Sequence, residues 1–277
     1  MEDEQIAPHS ELLNLRSSQA ACFNFLFPLR QDLRLATGVF GQFYPTMRQV
    51  TGLEFEYTGP EVITAWLGEP PGGKRGQNRT SIDAAVFWDD QDGQEHAALI
   101  EWKYTERGYG SCSAFNNASA SEKTACLGLN VWKNPLPERI CVLCRGVPAR
   151  SRRYWKHMPE SGINLVAFRG VTGCPFQGPF NQLMRQTLVA AYLKQRGVQA
   201  QVVSVSFAGN TSLHHLPKML LPLGVNDVIG AWNRVLHTSA PPLVIIMVEQ
   251  LLEAIECVGL REHDWREIFL TVMVYKG

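Results

Sequence analysis

Residues 80–103 read TSIDAAVFWDDQDGQEHAALIEWK, two apolar runs joined by a polar turn. Strand alternation puts Asp83, Ala85 and Phe87 on one face of the first run. In the second run it puts Ala97, Leu99, Glu101 and Lys103 on one face, and Ala98, Ile100 and Trp102 on the other. Each apolar face therefore ends in charge, a single carboxylate in the first run and a carboxylate with an ammonium in the second. A lone carboxylate among apolar neighbours is costly to bury without a partner. The Asp92-Gly93 pair between the runs is a hairpin signal. A hairpin symmetric about Asp92 sets Asp83 directly across from Glu101, and a bulge would move that register by one residue.

Directly opposed side chains of an antiparallel pair have Cβ atoms roughly 4.5–5.5 Å apart, where like charges repel. A positive group is expected between the two acids, and a hard divalent cation held by carboxylate oxygens and water fits, with Lys103 alongside. Such a centre suits phosphodiester hydrolysis. The cation would hold a scissile phosphate oxygen, ease ionisation of water and neutralise charge building on phosphorus. Lys103 would orient or deprotonate the water, or stabilise the developing charge. The backbone carbonyl of Trp102 is a candidate to complete the coordination. The competing reading is a cross-strand ion pair of Lys103 with the two acids and no catalytic purpose.

The string TSIDAAVFW…ALIEWK resembles the signature of the PD-(D/E)XK, or restriction-endonuclease-like, nucleases: an Asp at the start of the second core strand and Glu-x-Lys on the third. Ile82 stands where that signature carries Pro, a departure that touches no ligand. KYTE at 103–106, the early SSQAACFNFLFPL and the later FNQLMRQTLVAAYL resemble a bacterial group within the superfamily. The resemblance implies an α/β fold with an αβββαβ core, a mixed central sheet and extra C-terminal helices. It implies Mg²⁺, with Mn²⁺ as a substitute, at Asp83, Glu101 and the Trp102 carbonyl. It also implies DNA as substrate, cut by an endonuclease in restriction, phage defence or DNA processing.

Further site residues follow from the same resemblance. An acid from the first helix or strand joins the metal shell in many relatives; Glu56 is preferred here over Glu54 and Glu11. The helix after the third strand brings a polar residue towards the metal, for which Gln182 is chosen over Gln186, although an exposed polar face also explains it. Gln19 and Ser18 are candidates to line the substrate channel, with helix capping as the competing explanation. Lys74, Arg75 and Arg79, ahead of the Asp83 strand, are candidates for substrate contact. A homodimer or a defence-complex partner subunit stays open, as do a non-catalytic DNA-binding or scaffolding subunit and an RNA-directed nuclease.

Outward from the hairpin, the pattern predicts one domain over 1–277 with a helical elaboration from about 208 to 277. A helix is expected over 17–35, interrupted at Pro28. Strands are expected at 52–58, 82–88, 97–103, 139–143, 164–168 and 200–207. A Gly/Pro-rich loop, EPPGGKRGQNR, precedes the Asp83 strand. An amphipathic helix is expected over 180–196, stopped by Gly197, with further helices over 226–236, 243–257 and 264–274.

At 277 residues and 45% hydrophobic content the chain has enough apolar mass for one large core. Twenty-six basic and 26 acidic residues cancel, so any nucleic-acid affinity must come from local charge. Arg145, Arg150, Arg152, Arg153 and Lys156 form a second basic cluster, and Tyr154 and Trp155 within it are candidates for base stacking. Seven cysteines show no disulfide framework. The pair Cys141 and Cys144 sits in a β-like run with no second CxxC, and is read as small buried core residues in preference to a zinc or redox pair. His214 and His215 lack metal-ligand spacing. Neither a GxGxxG with its acidic ribose contact, a phosphate-binding P-loop nor a GxSxG appears, which argues against a nucleotide cofactor and against a serine nucleophile. No apolar run is long enough to cross a bilayer, and MEDEQIAPHS is unlike a secretory leader, so a cytoplasmic protein is expected.

Overall fold

The computed structural model describes residues 17–70, 79–145 and 152–258. In chain order the elements are α1 (Ser18–Gln31), α2 (Leu33–Gly41), β1 (Met47–Tyr57), α3 (Glu61–Leu67), β2 (Ile82–Asp90), β3 (Glu95–Lys103), α4 (Ser113–Asn116), α5 (Ala120–Leu127), α6 (Tyr154–His157), α7 (Phe180–Lys194), β4 (Gln199–Ser206), α8 (Val228–Arg234), β5 (Val244–Met247) and α9 (Val248–Cys257). The strands form one sheet in the order β1-β2-β3-β4-β5. The β1–β2 and β2–β3 pairs are antiparallel, and the β3–β4 and β4–β5 pairs are parallel. This is a mixed α/β architecture containing the expected αβββαβ order.

The β2–β3 turn closes as the Asp-Gly pair predicts. Gly93 takes φ +79°, a left-handed conformation that costs a glycine little. The Asp90 N–H donates to the Gln94 carbonyl at 3.0 Å, and Asp90 Oδ1 accepts the amides of Asp92 and Gln94. Pairing then runs without a slip from Asp89 opposite Glu95 to Ala84 opposite Ile100. One step further, that register would set Asp83 opposite Glu101, and the Asp83 side chain bonds the Trp102 N–H there.

β3 lies in the middle of the sheet, and its last seven residues, Ala97–Lys103, are buried, which is why its sequence is almost continuously apolar. On one face Ala85, Ala97 and Leu99 pack with Phe180, Leu183, Met184 and Leu188 of α7 and with Trp232 of α8. On the other, Ala84, Val86, Ala98, Ile100 and Trp102 pack with Cys22, Leu26 and Leu29 of α1, Val39 and Phe40 of α2, and Leu251 and Ile255 of α9. Trp102 is fully buried there, and truncating a side chain of that size in a core costs about 3–5 kcal/mol. Asp83, Glu101 and Lys103 share the α7 face.

Several expected elements differ. β1 begins at Met47, five residues before the expected start, because pairing with β2 resumes across two irregularities. Pro28 lies inside α1; the break comes at Asp32, which caps both helices, its N–H bonded to the Pro28 carbonyl and its Oδ1 accepting the amides of Arg34 and Leu35. No strand forms at 139–143 or 164–168. Pro137–Arg139 and Leu165–Phe168 are 3-10 turns; Ile140, Leu143, Leu165 and Phe168 pack into the cluster that holds α7 without pairing as strands, and Val166 is exposed. The start of the expected 243–257 helix is instead β5, where the branched residues Val244, Ile245 and Ile246 add to the sheet beside β4. The expected helix over 264–274 lies outside the described residues.

Candidate active site

The sheet end formed by the close of β1, the start of β2 and the close of β3 gathers the charged residues. Lys103 Nζ stands 2.8 Å from Glu101 Oε1, and both side chains are buried, at 6% and 4% exposure. Asp83 is half-buried, and its Oδ2 accepts the Trp102 N–H at 2.8 Å, tying β2 to the β3 backbone between the two charged residues. The site is therefore open through Asp83 and shut at Glu101.

α7 closes it. Gln182 Nε2 donates to Glu101 Oε1 at 2.5 Å, and Gln186 donates to Glu101 Oε2. Gln182 Oε1 accepts from Lys103 Nζ at 3.2 Å and from the Gly110 N–H at 2.6 Å. The four-residue spacing of Gln182 and Gln186 puts both amides on one helix face over the carboxylate. Gln186 and Gly110 were not among the residues chosen from sequence. For Gln186 the signal was present in that spacing; for Gly110 there was none.

Electrostatics at the site are strained in one direction. Burial and the charge of Glu101 push the Asp83 carboxyl well above its usual range, with Lys103 and the Trp102 N–H pulling partly back. Burial pulls the Lys103 ammonium down, but Glu101 and Asp83 together outweigh it, so its pKa lies above the ordinary lysine value. Lys103 is thus a fixed cation, and of the roles open to it from sequence the geometry favours charge stabilisation over proton abstraction.

Glu56 continues the row. The pairs Phe55–Ala84 and Tyr57–Ile82 bracket it, setting it opposite Asp83, whereas Glu54 is exposed. Glu56 takes φ +48°, left-handed for a non-glycine residue, and its carboxylate accepts Gln19 Nε2 and Ser81 Oγ, each at 2.7 Å. Ser18 donates to Glu106, which also accepts the Tyr104 N–H at 2.8 Å. The first turn of α1 thus positions two carboxylates beside the site. Glu11 lies outside the described residues.

A buried network below the site was invisible in the sequence. Glu69, 4% exposed, accepts the Thr80 N–H, the Thr80 hydroxyl and the Tyr154 hydroxyl, all at 2.7 Å. Arg185 of α7 donates to Thr80 Oγ1 at 3.0 Å and to the Arg79 carbonyl at 2.6 Å. Together they fix the chain three residues before Asp83. Arg79 is half-buried, and its Nε has no partner among the described residues. Lys74 and Arg75 lie outside the described residues.

The second basic cluster is corrected as a base-stacking surface. Tyr154 and Trp155 are buried, Arg152 is buried with a contact to the Gly68 carbonyl, and Arg145 pairs with Glu122 at 2.7 Å. These side chains support the fold and offer no free aromatic face. Arg150 lies outside the described residues.

Asp83 and Glu101 suit a hard divalent cation on three grounds: two oxygen ligands from adjacent strands, a carboxyl whose charge is disfavoured without a counter-ion, and a buried Gln186 Oε1 with no partner among the described residues. Among the described residues no three His, Cys, Asp or Glu side chains are already gathered as a metal cage. Two carboxylates would then be completed by a backbone carbonyl and water.

Comparison with known proteins follows that geometry. The family described as restriction endonuclease associating with ARP matches residues 1–268. The chain belongs to this family. No curated protein and no solved structure matches it. The family places the chain among restriction-endonuclease-like proteins, as the Asp83 and Glu101-x-Lys103 pattern implied. Among the described residues no helix is long and apolar enough to cross a membrane.

Proposed function

We propose that this chain is a Mg²⁺-dependent nuclease of the PD-(D/E)XK type, an endonuclease acting on DNA in restriction or phage defence. Asp83 and Glu101 hold the cation, with Mn²⁺ as a substitute, and the Trp102 carbonyl is the third protein ligand. The observation that carries this reading is the gathering of Asp83, Glu101 and Lys103 at one sheet end, with Asp83 Oδ2 on the Trp102 N–H and Lys103 Nζ 2.8 Å from Glu101 Oε1.

The cation, when bound, supplies charge neutralisation at phosphorus and eases ionisation of the attacking water. The chain's own residues do the rest. Lys103 keeps its proton and faces the charge that develops on the phosphoryl oxygens. Gln182, half-buried, bonds both Glu101 Oε1 and Lys103 Nζ and so positions the two charges relative to each other. Gln19 holds Glu56, and Arg79, with Lys74 and Arg75 earlier in the sequence, contacts the phosphate backbone.

The family description names association with ARP, and we read the chain as the nuclease member of such an assembly. A non-catalytic scaffolding subunit is the second reading, favoured by the clasp of Gln182 and Gln186 over a buried Glu101. One assay separates the two. Purified protein is incubated with supercoiled, linear and single-stranded DNA and with RNA, in Mg²⁺, Mn²⁺ or EDTA, beside Asp83→Ala and Lys103→Ala. Metal-dependent cleavage of DNA lost in both variants supports the nuclease. Equal products from wild type and variants, or none under any condition, would leave the scaffold, and preferential cutting of RNA would move the substrate.

A further inference from the structure

The polar part of the α7 face does not stop at β3. Register sets Ser204 of β4 opposite Glu101 and Ser206 opposite Lys103, and both serines are buried. Ser204 is engaged by a residue that the chemistry above leaves unused. Tyr109, 6% exposed, donates its hydroxyl to Ser204 Oγ at 2.7 Å, the partner that a buried phenol needs. Lys103 Nζ stands over the Tyr109 ring, 5.6 Å from its centroid.

The segment that carries Tyr109 is fastened at both ends. Asn210 Nδ2 donates to the carbonyls of Tyr104 and Glu106, at 3.2 and 3.0 Å. Beyond Tyr109, the Gln182 N–H donates to the Gly110 carbonyl at 3.2 Å and the Cys112 N–H to the Gln177 carbonyl at 3.0 Å. Gly110 lets the segment pass close to α7, because a Cβ there would stand 3.3 Å from Gln182 Oε1. Tyr109 is therefore held to one place, as a wall of the site on its β4 side.

A lysine has use for such a wall, since its ammonium rides on a flexible four-carbon stem with rotatable donors. Glu101 Oε1 takes one N–H of Lys103 and Gln182 Oε1 another; the third has no partner among the described residues. An aromatic face attracts the cation without occupying a donor. We propose that Tyr109 is a positioning residue: its ring, anchored through Ser204, keeps the Lys103 ammonium turned from β4 towards Asp83 with one N–H free for a phosphoryl oxygen. The use of that N–H rests on the nuclease reading; the placement of Lys103 does not. If Tyr109 only tied its loop to β4, the hydroxyl would matter and the ring would not.

Wild type is read first by NMR, where NOEs between Lys103 Hε and the Tyr109 ring protons need no variant. The Lys103 ammonium signal, assigned by its loss in Glu101→Gln with Lys103→Met, is expected upfield in wild type and in Tyr109→Phe relative to Tyr109→Leu. In Mg²⁺-dependent cleavage of supercoiled DNA, Tyr109→Leu lowers kcat about tenfold, the rate equivalent of one desolvated cation–π contact, and leaves KM unchanged. Tyr109→Phe keeps the ring and restores most of that rate. Missing NOEs overturn the proposal even where Tyr109→Leu fails to fold. So does a Tyr109→Phe protein that loses as much rate as Tyr109→Leu, or a Tyr109→Leu protein with the wild-type kcat. A wild type that cuts no DNA overturns the nuclease reading alone, and the NOEs and the ammonium shift still decide what holds Lys103.

Discussion

Gln186 donates its side-chain amide to Oε2 of Glu101, while its own Oε1 lies buried with no partner among the described residues. An unpaired buried acceptor of this kind costs about 1–3 kcal/mol, and it stands beside the carboxylate that would hold the cation. Gln186→Leu removes both the donor and the stranded oxygen. The fold should survive, because Glu101 keeps Lys103 and Gln182, but Mg²⁺ affinity should fall about 10- to 100-fold. Calorimetric titration of Mg²⁺ into both proteins checks this; unchanged affinity would reduce Gln186 to packing.

Asp83 makes stability depend on pH. Its folded pKa, about 8, lies above the unfolded value of 3.8, so the folded chain holds a proton that the unfolded chain has released between those values. Without metal, the contribution of Asp83 is present below the unfolded pKa and is lost as pH rises from about 4 through about 8. Asp83→Asn keeps an acceptor for the Trp102 N–H and should flatten this slope, raising Tm at pH 8 by a few degrees, the equivalent of about 1 kcal/mol. Added Mg²⁺ should restore wild type at high pH and leave Asp83→Asn unmoved. Parallel melting curves for wild type and variant in EDTA across that range would contradict the prediction.

Removing one member of the Glu101–Lys103 pair strands the other in a site with almost no solvent. Glu101→Ala should therefore cost about 3–5 kcal/mol, as breaking buried ion pairs does. Denaturant midpoints of Glu101→Ala and of the doubly neutral Glu101→Gln with Lys103→Met are the comparison. The double variant should recover much of the loss while staying inactive. A double variant as unstable as the single would mean the cost lies in shape, not charge.

Glu69 takes three donors, two from Thr80 and one from Tyr154. Glu69→Gln turns one acceptor oxygen into a donor amide facing other donors, at an expected cost of about 1–3 kcal/mol. Since Thr80 leads into the Asp83 strand, cleavage should fall more than the stability loss alone accounts for at temperatures where the variant is fully folded. Full activity in a folded Glu69→Gln protein would detach this network from the site.

Much of the site was legible in residues 80–103. Period-two alternation assigned faces, Asp92-Gly93 gave the turn, and equal distances from Asp92 gave the register that pairs Ala84–Asp89 with Glu95–Ile100 and leads on to Asp83 and Glu101. The position of Gln182 followed from the resemblance, not from periodicity. Short apolar runs misled the reading: 139–143 and 164–168 look like strands but found no partner, whereas Val244–Met247 resembles a helix start and joined β4. A strand is a property of two segments, and its sequence records only one of them.

The sequence alone determined which residues carry charge on the buried face of the β2–β3 hairpin, because alternation and turn chemistry are local. Only the tertiary structure decided that Gln186, Gly110 and Glu106 border that charge, that Tyr154 and Trp155 are buried, and that cysteines up to 62 residues apart converge on one cavity. Those relations depend on which long-range contacts offset the chain entropy of forming them, and no short window of sequence contains both partners.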